Sequence, residues 1–66
     1  MTLTIKSNIA TFHDKRSGVT ETVDLKLVTT YQDIALWIKQ LEAHEWFAGD
    51  VRQRFEQECL RRVNRF

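Results

Sequence analysis

The sequence predicts an α+β fold in which a β-hairpin, or three short antiparallel strands, is followed by two α-helices packed on one face of the sheet. Apolar residues alternate with polar ones in the first half of the chain, recur with helical periodicity after Thr30, and form a second helical seam after Gly49. A single domain over 1–66 is predicted, with strands at 2–13 and 19–28 and helices at 31–47 and 50–65.

In the first strand region, residues 2–13, the apolar positions switch from odd to even numbers. Its apolar residues occupy odd positions up to Ile5 and even positions from Ala10 onward. A bulge or a break at the intervening Ser7-Asn8 pair would return these side chains to one inward face.

The second strand region has the clearer pattern, because its odd positions are apolar apart from Glu21 and its even positions are mostly polar. The polar segment 13–18 lies between the two regions and ends in Gly18, a residue that adopts positive φ without strain. The two strand regions are therefore predicted to form a hairpin.

The first helix is predicted from a capping signal and a periodic apolar face. Thr30 and Asp33 have the spacing of a capping box, with Asp in place of the usual Glu or Gln. Gly49 provides a stop, either directly after a helix that reaches Phe47 or within a turn that begins near His44. The residues expected to lie on the hairpin are Tyr31, Ile34, Trp37, Ile38 and Leu41.

The second helix is predicted to open with the capping pair Asp50 and Gln53. Its apolar seam consists of Val51, Phe55, Cys59, Val63 and Phe66.

Composition indicates a globular domain of marginal stability. The 66 residues are 42% hydrophobic and carry a net charge of +1. In so short a chain, the free energy of apolar burial roughly equals the cost of conformational ordering. One cysteine excludes an internal disulfide and no metal-ligand spacing is present, so added stability is expected from a protein partner or from a homodimer.

The sequence also predicts a cytoplasmic protein without a membrane segment. Residues 1–6 lack the apolar run of a signal peptide, and no uninterrupted apolar segment approaches ~18 residues. The lone Cys59 fits a reducing compartment.

A surplus of apolar residues on the first helix predicts a protein interface. Leu36, Ala43 and Phe47 lie about 120° to 180° from the Ile34 face, and Trp46 adds a second aromatic anchor. Two interpretations are open: the second helix folds back and covers this side, or the side binds a partner.

Arginines on the second helix form a candidate basic patch for nucleic acid or an acidic protein, comprising Arg52, Arg54, Arg61 and Arg65. Arg52, Gln53 and Arg54 would be the base readers if the two helices formed a helix-turn-helix. Glu58 lies within the stripe, and a solvated salt-bridge ladder is the simpler interpretation.

Catalytic equipment is sparse, and the chain is not expected to be an enzyme. His13 and His44 lie in different elements, and the two glycines do not form a phosphate-binding loop. Cys59 lies on an apolar seam, where a cysteine usually serves as a small buried hydrophobe. No cofactor, metal or small-molecule substrate is predicted.

Three functional hypotheses follow. The preferred one is a non-catalytic protein-binding domain that docks on a larger host or partner complex and inhibits or adapts it. The second is a small nucleic-acid-binding transcriptional regulator that uses the Arg-rich helix, and the third is a purely structural subunit of an assembly. In size, hairpin and lack of catalytic residues, the chain resembles small early proteins of phages and other mobile elements that block a host complex. This resemblance assigns no residues.

Overall fold

The computed structural model describes residues 1–64 and shows one open antiparallel sheet followed by two helices. The predicted fold class is confirmed. The elements in chain order are β1 (Thr2–Lys6), β2 (Ile9–His13), β3 (Thr20–Asp24), a single 3₁₀ turn (Leu25–Leu27), α1 (Tyr31–Leu41) and α2 (Gly49–Val63). The strands are adjacent in the order β1-β2-β3.

The predicted strand at 2–13 is two strands joined by a two-residue turn. Ser7 and Asn8 both have positive φ, 50° and 71°, as a type I′ hairpin turn requires. Because the turn reverses the chain after Lys6, the residues of opposite parity share one face: Leu3 lies opposite Phe12. The break proposed at Ser7-Asn8 is therefore confirmed.

The second strand region is shorter than the predicted 19–28. β3 ends at Asp24, whose carboxylate accepts a hydrogen bond from the amide of Lys26 at 3.0 Å and opens the 3₁₀ turn. Leu25 and Val28 remain buried, whereas Leu27 is turned outward.

Helix α1 begins as predicted and ends early. Thr30 Oγ1 accepts the amide of Asp33 at 3.2 Å, and Asp33 accepts the amide of Thr30 at 3.1 Å, which completes the capping box. The helix ends at Leu41 and not at residue 47, because the chain turns there: the amide of His44 bonds the carbonyl of Leu41 at 3.0 Å.

Helix α2 begins at Gly49, and its N-cap is Ala48, which makes no side-chain capping bond. The predicted Asp50–Gln53 capping pair is wrong, because the helix is already under way at those residues. Phe55 and Cys59 of the predicted seam are buried. Arg65 and Phe66 lie outside the described residues.

The two helices run antiparallel, because the start of α1 contacts the end of α2 and the end of α1 contacts the start of α2. Tyr31 at the start of α1 donates a hydrogen bond to the Asn64 side chain that follows α2. At the other end, Arg52 lies 3.0 Å from Glu42. The core between the sheet and the helices consists of Leu3, Ala10, Phe12, Val23, Leu25, Val28, Ile34, Leu41, Phe47, Phe55 and Cys59.

Candidate functional site

The four predicted interface residues lie in three different environments, and Phe47 is in the core. Its residue exposure is 4%, and its ring lies edge-on to those of Phe12 and Phe55 at centroid distances of 5.9 and 5.8 Å. Phe47 is therefore unavailable for contact with a partner in the folded chain. The early end of α1 explains the error, because residue 47 does not follow the helical projection.

Trp46 and Ala43 lie beside the hairpin loop. The half-buried Trp46 ring packs on Phe12 at 5.1 Å and stacks on His44 at 4.8 Å. Together with residues 14–17 these side chains line a wide, shallow depression. Among its side chains, Lys15 and Arg16 are balanced by Asp14 and Glu45.

The hairpin loop itself is ordered by Asp14. Its carboxylate accepts hydrogen bonds from Ser17 Oγ at 2.9 Å and from the amide of Arg16 at 3.2 Å. These bonds, the Ser17 bond most of all, lower the pKa of Asp14 below its usual value. The Asp14 carboxylate thus supports the loop, and Gly18 with φ of 72° closes it as predicted.

Leu36 lies on the outer surface of α1 and is 53% exposed. Leu27 of the 3₁₀ turn is 60% exposed, and it lines the same open groove of about 270 Å³ as Leu36 and the half-buried Trp37. The polar residues Asp33 and Gln40 complete the lining. We call this feature the leucine groove.

Sequence reasoning missed Leu27, because the odd-position pattern placed it on the inner face of an extended strand. The available signal was Asp24, a residue that favours turns by bonding its own backbone two residues ahead. That bond is the one observed to Lys26.

Carboxylates pair with two of the four residues of the predicted arginine patch. Arg52 pairs with Glu42 at 3.0 Å, and Arg61 pairs with Glu58 at 2.7 Å. Arg62 Nε lies 3.3 Å from the same Glu58 oxygen without the geometry of a hydrogen bond. Arg62 Nη1 donates to the side chain of Asn8 at 2.6 Å, which ties α2 to the β1–β2 turn.

Arg54 differs from these residues, because no carboxylate within residues 1–64 forms an ion pair with it. It lies beside Ile5 of β1 at the edge of the sheet. Arg65, the fourth member of the predicted patch, lies outside the described residues.

Burial makes Cys59 a core side chain. It is fully buried, and this desolvation raises the pKa of its thiol to about 11. A protonated thiol is a poor nucleophile and a poor metal ligand. Within residues 1–64, no group of three or more histidine, cysteine or acidic side chains is arranged to hold a metal ion.

Neither α1 nor α2 combines the length and the apolar character that crossing a bilayer requires, within the part of the chain that the structure describes.

Comparisons with protein families, with curated proteins and with solved structures found no match to this chain.

Proposed function

We propose that this chain is a small, non-catalytic protein-binding domain that docks on a larger host or partner complex through the leucine groove and inhibits or adapts that complex. The observation that carries the proposal is the juxtaposition of Leu27 and Leu36, both more than half exposed, with Trp37. Isolated exposed leucines are common, but here two exposed leucines and a tryptophan line one groove, as apolar side chains do at interaction sites.

The groove has the layout of an interface hot spot. Its lining combines two leucines and a tryptophan with two polar residues. The carboxylate of Asp33 is held by hydrogen bonds from Thr29 and Thr30, so it does not move to cover the leucines. We expect an apolar side chain of the partner protein to enter the groove between Leu27 and Leu36.

Chain length also favours a partner. A domain of 66 residues buries a smaller fraction of its surface on folding than a larger domain does, and it leaves the rest exposed to solvent. Covering part of this surface, by a partner or by a second copy in a homodimer, would add the stability that so short a chain lacks.

Nucleic-acid binding has weaker support. Three arginines of α2 are engaged by carboxylates, which lowers the positive potential that phosphates require. The antiparallel packing of α1 and α2 also differs from a helix-turn-helix, whose helices cross at a large angle so that the second can enter a groove of DNA.

The experiment that tests the proposal compares charge-matched variants in an affinity pull-down from host extract. Leu36→Glu and Leu27→Glu should each abolish capture of the partner while the circular dichroism spectrum remains that of the folded protein. Thr22→Glu adds the same charge at an exposed position of β3, on the sheet face opposite the helices, and should retain capture. Retention by all three variants would refute the leucine groove as the docking surface.

Sedimentation equilibrium of the wild type and of Leu36→Glu tests the homodimer separately. A dimer that dissociates in the variant assigns the groove to self-association. A wild-type monomer at all concentrations leaves the external partner as the occupant and removes the homodimer.

A further inference from the structure

The free edge of the sheet at β1 is a second candidate contact surface, on a different element from the leucine groove. In an antiparallel pair, successive residues alternate between bonding one neighbour strand and pointing away from it. The hydrogen bonds at the two ends of β2 fix this alternation. The carbonyl of Asn8 accepts the amide of Leu25 at 2.8 Å, and the amide of Asp14 bonds the carbonyl of Val19 at 3.0 Å, so the even residues from 8 to 14 face β3.

The odd residues of β2 therefore bond β1, and their partners in register are Thr2, Thr4 and Lys6. It follows that the N–H and C=O groups of Leu3 and Ile5 point away from β2, toward the open edge of the sheet. Leu3 is buried, whereas Ile5 is half-buried and marks the accessible part of this edge. An edge strand with outward backbone groups is a template for an added strand.

A groove of about 290 Å³ borders this edge. It lies between β1 and α2 and is lined by Ile5, Arg54, Gln57, Glu58 and Arg61. A strand added beside β1 would direct the side chain opposite Ile5 to the same face as Ile5, and hence into this groove.

The groove carries uncompensated positive charge. Glu58 serves both Arg61 and Arg62, and Arg54 has no ion-pair partner among the described residues. The lining of the groove therefore holds the two guanidinium groups of Arg54 and Arg61 and only one carboxylate, that of Glu58, which is 14% exposed. Arg54 and Arg61 are two helical turns apart, about 10 Å. Residues i and i+2 of an added strand, whose side chains share one face, are about 7 Å apart. Flexible arginine side chains can span the difference between these two spacings.

We propose that the β1 edge binds an extended acidic segment of a partner protein as a fourth, antiparallel strand, with its acidic side chains facing Arg54 and Arg61. The backbone of Ile5 supplies the pairing, and the arginines select the charge of the segment. A second copy of this chain fits less well, because two β1 edges would bring two positive grooves together, and Lys6 adds to this repulsion. A nucleic acid has no peptide backbone to pair with the strand.

The probe is a fluorescein-labelled octapeptide of alternating Thr and Glu, titrated with the intact protein and followed by fluorescence anisotropy. In the proposed geometry every Glu faces the groove and directs its own amide to β1. N-methylation of the Glu amides should therefore abolish binding, whereas N-methylation of the Thr amides should leave it intact. The corresponding Thr-Lys peptide should not bind.

Protein variants locate the charge contact. Arg54→Gln should weaken binding by about fivefold or more, as expected for loss of one charge-assisted hydrogen bond. Arg16→Gln removes the same charge at the hairpin loop and should change the affinity by less than about twofold. Leu36→Glu should retain peptide binding, since the leucine groove is a separate site. Amide shifts in ¹⁵N NMR spectra should centre on Ile5.

Four results would overturn the proposal. They are no binding of the Thr-Glu peptide at millimolar concentration, equal binding of the two N-methylated peptides, equal effects of Arg54→Gln and Arg16→Gln, and shifts at Ile5 that follow protein concentration in the absence of peptide. The last result would assign the edge to a second copy of the chain.

Discussion

Truncation of Phe47 and truncation of Leu36 should have very different effects on the free energy of unfolding. The helical periodicity of the sequence placed both residues on the same side of α1, but in the structure only Leu36 belongs to the helix. Phe47 is surrounded by the rings of Phe12, Phe55 and Trp46 at 5.9, 5.8 and 6.2 Å. Phe47→Ala should cost about 3 to 5 kcal/mol through lost burial and the cavity left behind. Leu36→Ala should change stability by less than about 0.5 kcal/mol.

The loss expected for Phe47→Ala is large relative to the total free energy of unfolding of the chain. A chain of 66 residues has a total stability of about 3 to 10 kcal/mol. With a urea m-value of about 1 kcal/mol per M, Phe47→Ala should lower the unfolding midpoint by about 3 M or abolish the transition. Phe47→Leu, which retains more of the apolar volume, should fall between this variant and the wild type.

Urea titration followed by circular dichroism and by tryptophan fluorescence measures all three variants. The reasoning would be refuted by a Phe47→Ala midpoint equal to that of the wild type, or by a Leu36→Ala midpoint that falls as far as that of Phe47→Ala. Either result would mean that the surface and the core are assigned incorrectly on this side of the molecule.

Three further predictions concern the helix ends and acid stability. Thr30→Ala removes the acceptor for the Asp33 amide and should lower the free energy of unfolding by about 1 kcal/mol in urea titration. Ala48→Ser supplies the missing cap of α2 on a backbone that is already extended, and should raise the free energy of unfolding by about 0.5 to 1 kcal/mol. Hydrogen bonds from Thr29 foremost, and from Thr30, lower the pKa of Asp33 in the folded protein. The ionised carboxylate therefore stabilises the fold above the pKa of the unfolded state, near 4, and this stabilisation is lost as the pH falls through the lower pKa of the folded state. The difference in urea midpoint between wild type and Asp33→Asn should therefore shrink on acidification from pH 7 to pH 3, and a difference independent of pH would contradict this assignment.

Local signals in the sequence predicted the fold class because each lies within a few residues of its effect. The parity change around Ser7-Asn8 follows from a turn of two residues, and the Thr30 capping box needs only the residues up to Asp33. Gly18 closes its loop at positive φ for the same local reason.

The end of α1 could not be predicted in this way. Residues 42–45 are compatible with a helix, and the chain leaves the helix there because Phe47 enters the core against Phe12 of β2. Gly49 was expected either directly after a helix reaching Phe47 or within a turn beginning near His44; it follows such a turn and is the first residue of α2, with a φ of 57°. These are tertiary effects that override local propensity.

Only part of the candidate site was predictable for the same reason. The exposure of Leu36 follows from helical projection, whereas its neighbour Leu27 is exposed by the turn that Asp24 begins. The pairing of Arg62 with Asn8 joins residues 54 positions apart and has no signal in a local pattern. The proximity of Arg54 to the β1 edge likewise appears only in the folded chain.

Photo-crosslinking from within the leucine groove tests most directly whether the protein acts by binding a partner there. Benzoylphenylalanine at position 36, irradiated in host extract, should yield a discrete adduct with one protein, and the same probe at Thr22, on the sheet face opposite the helices, should not. The adduct should disappear when unlabelled wild-type chain is added in excess. No adduct at position 36, or the same adducts from both positions, would contradict the account.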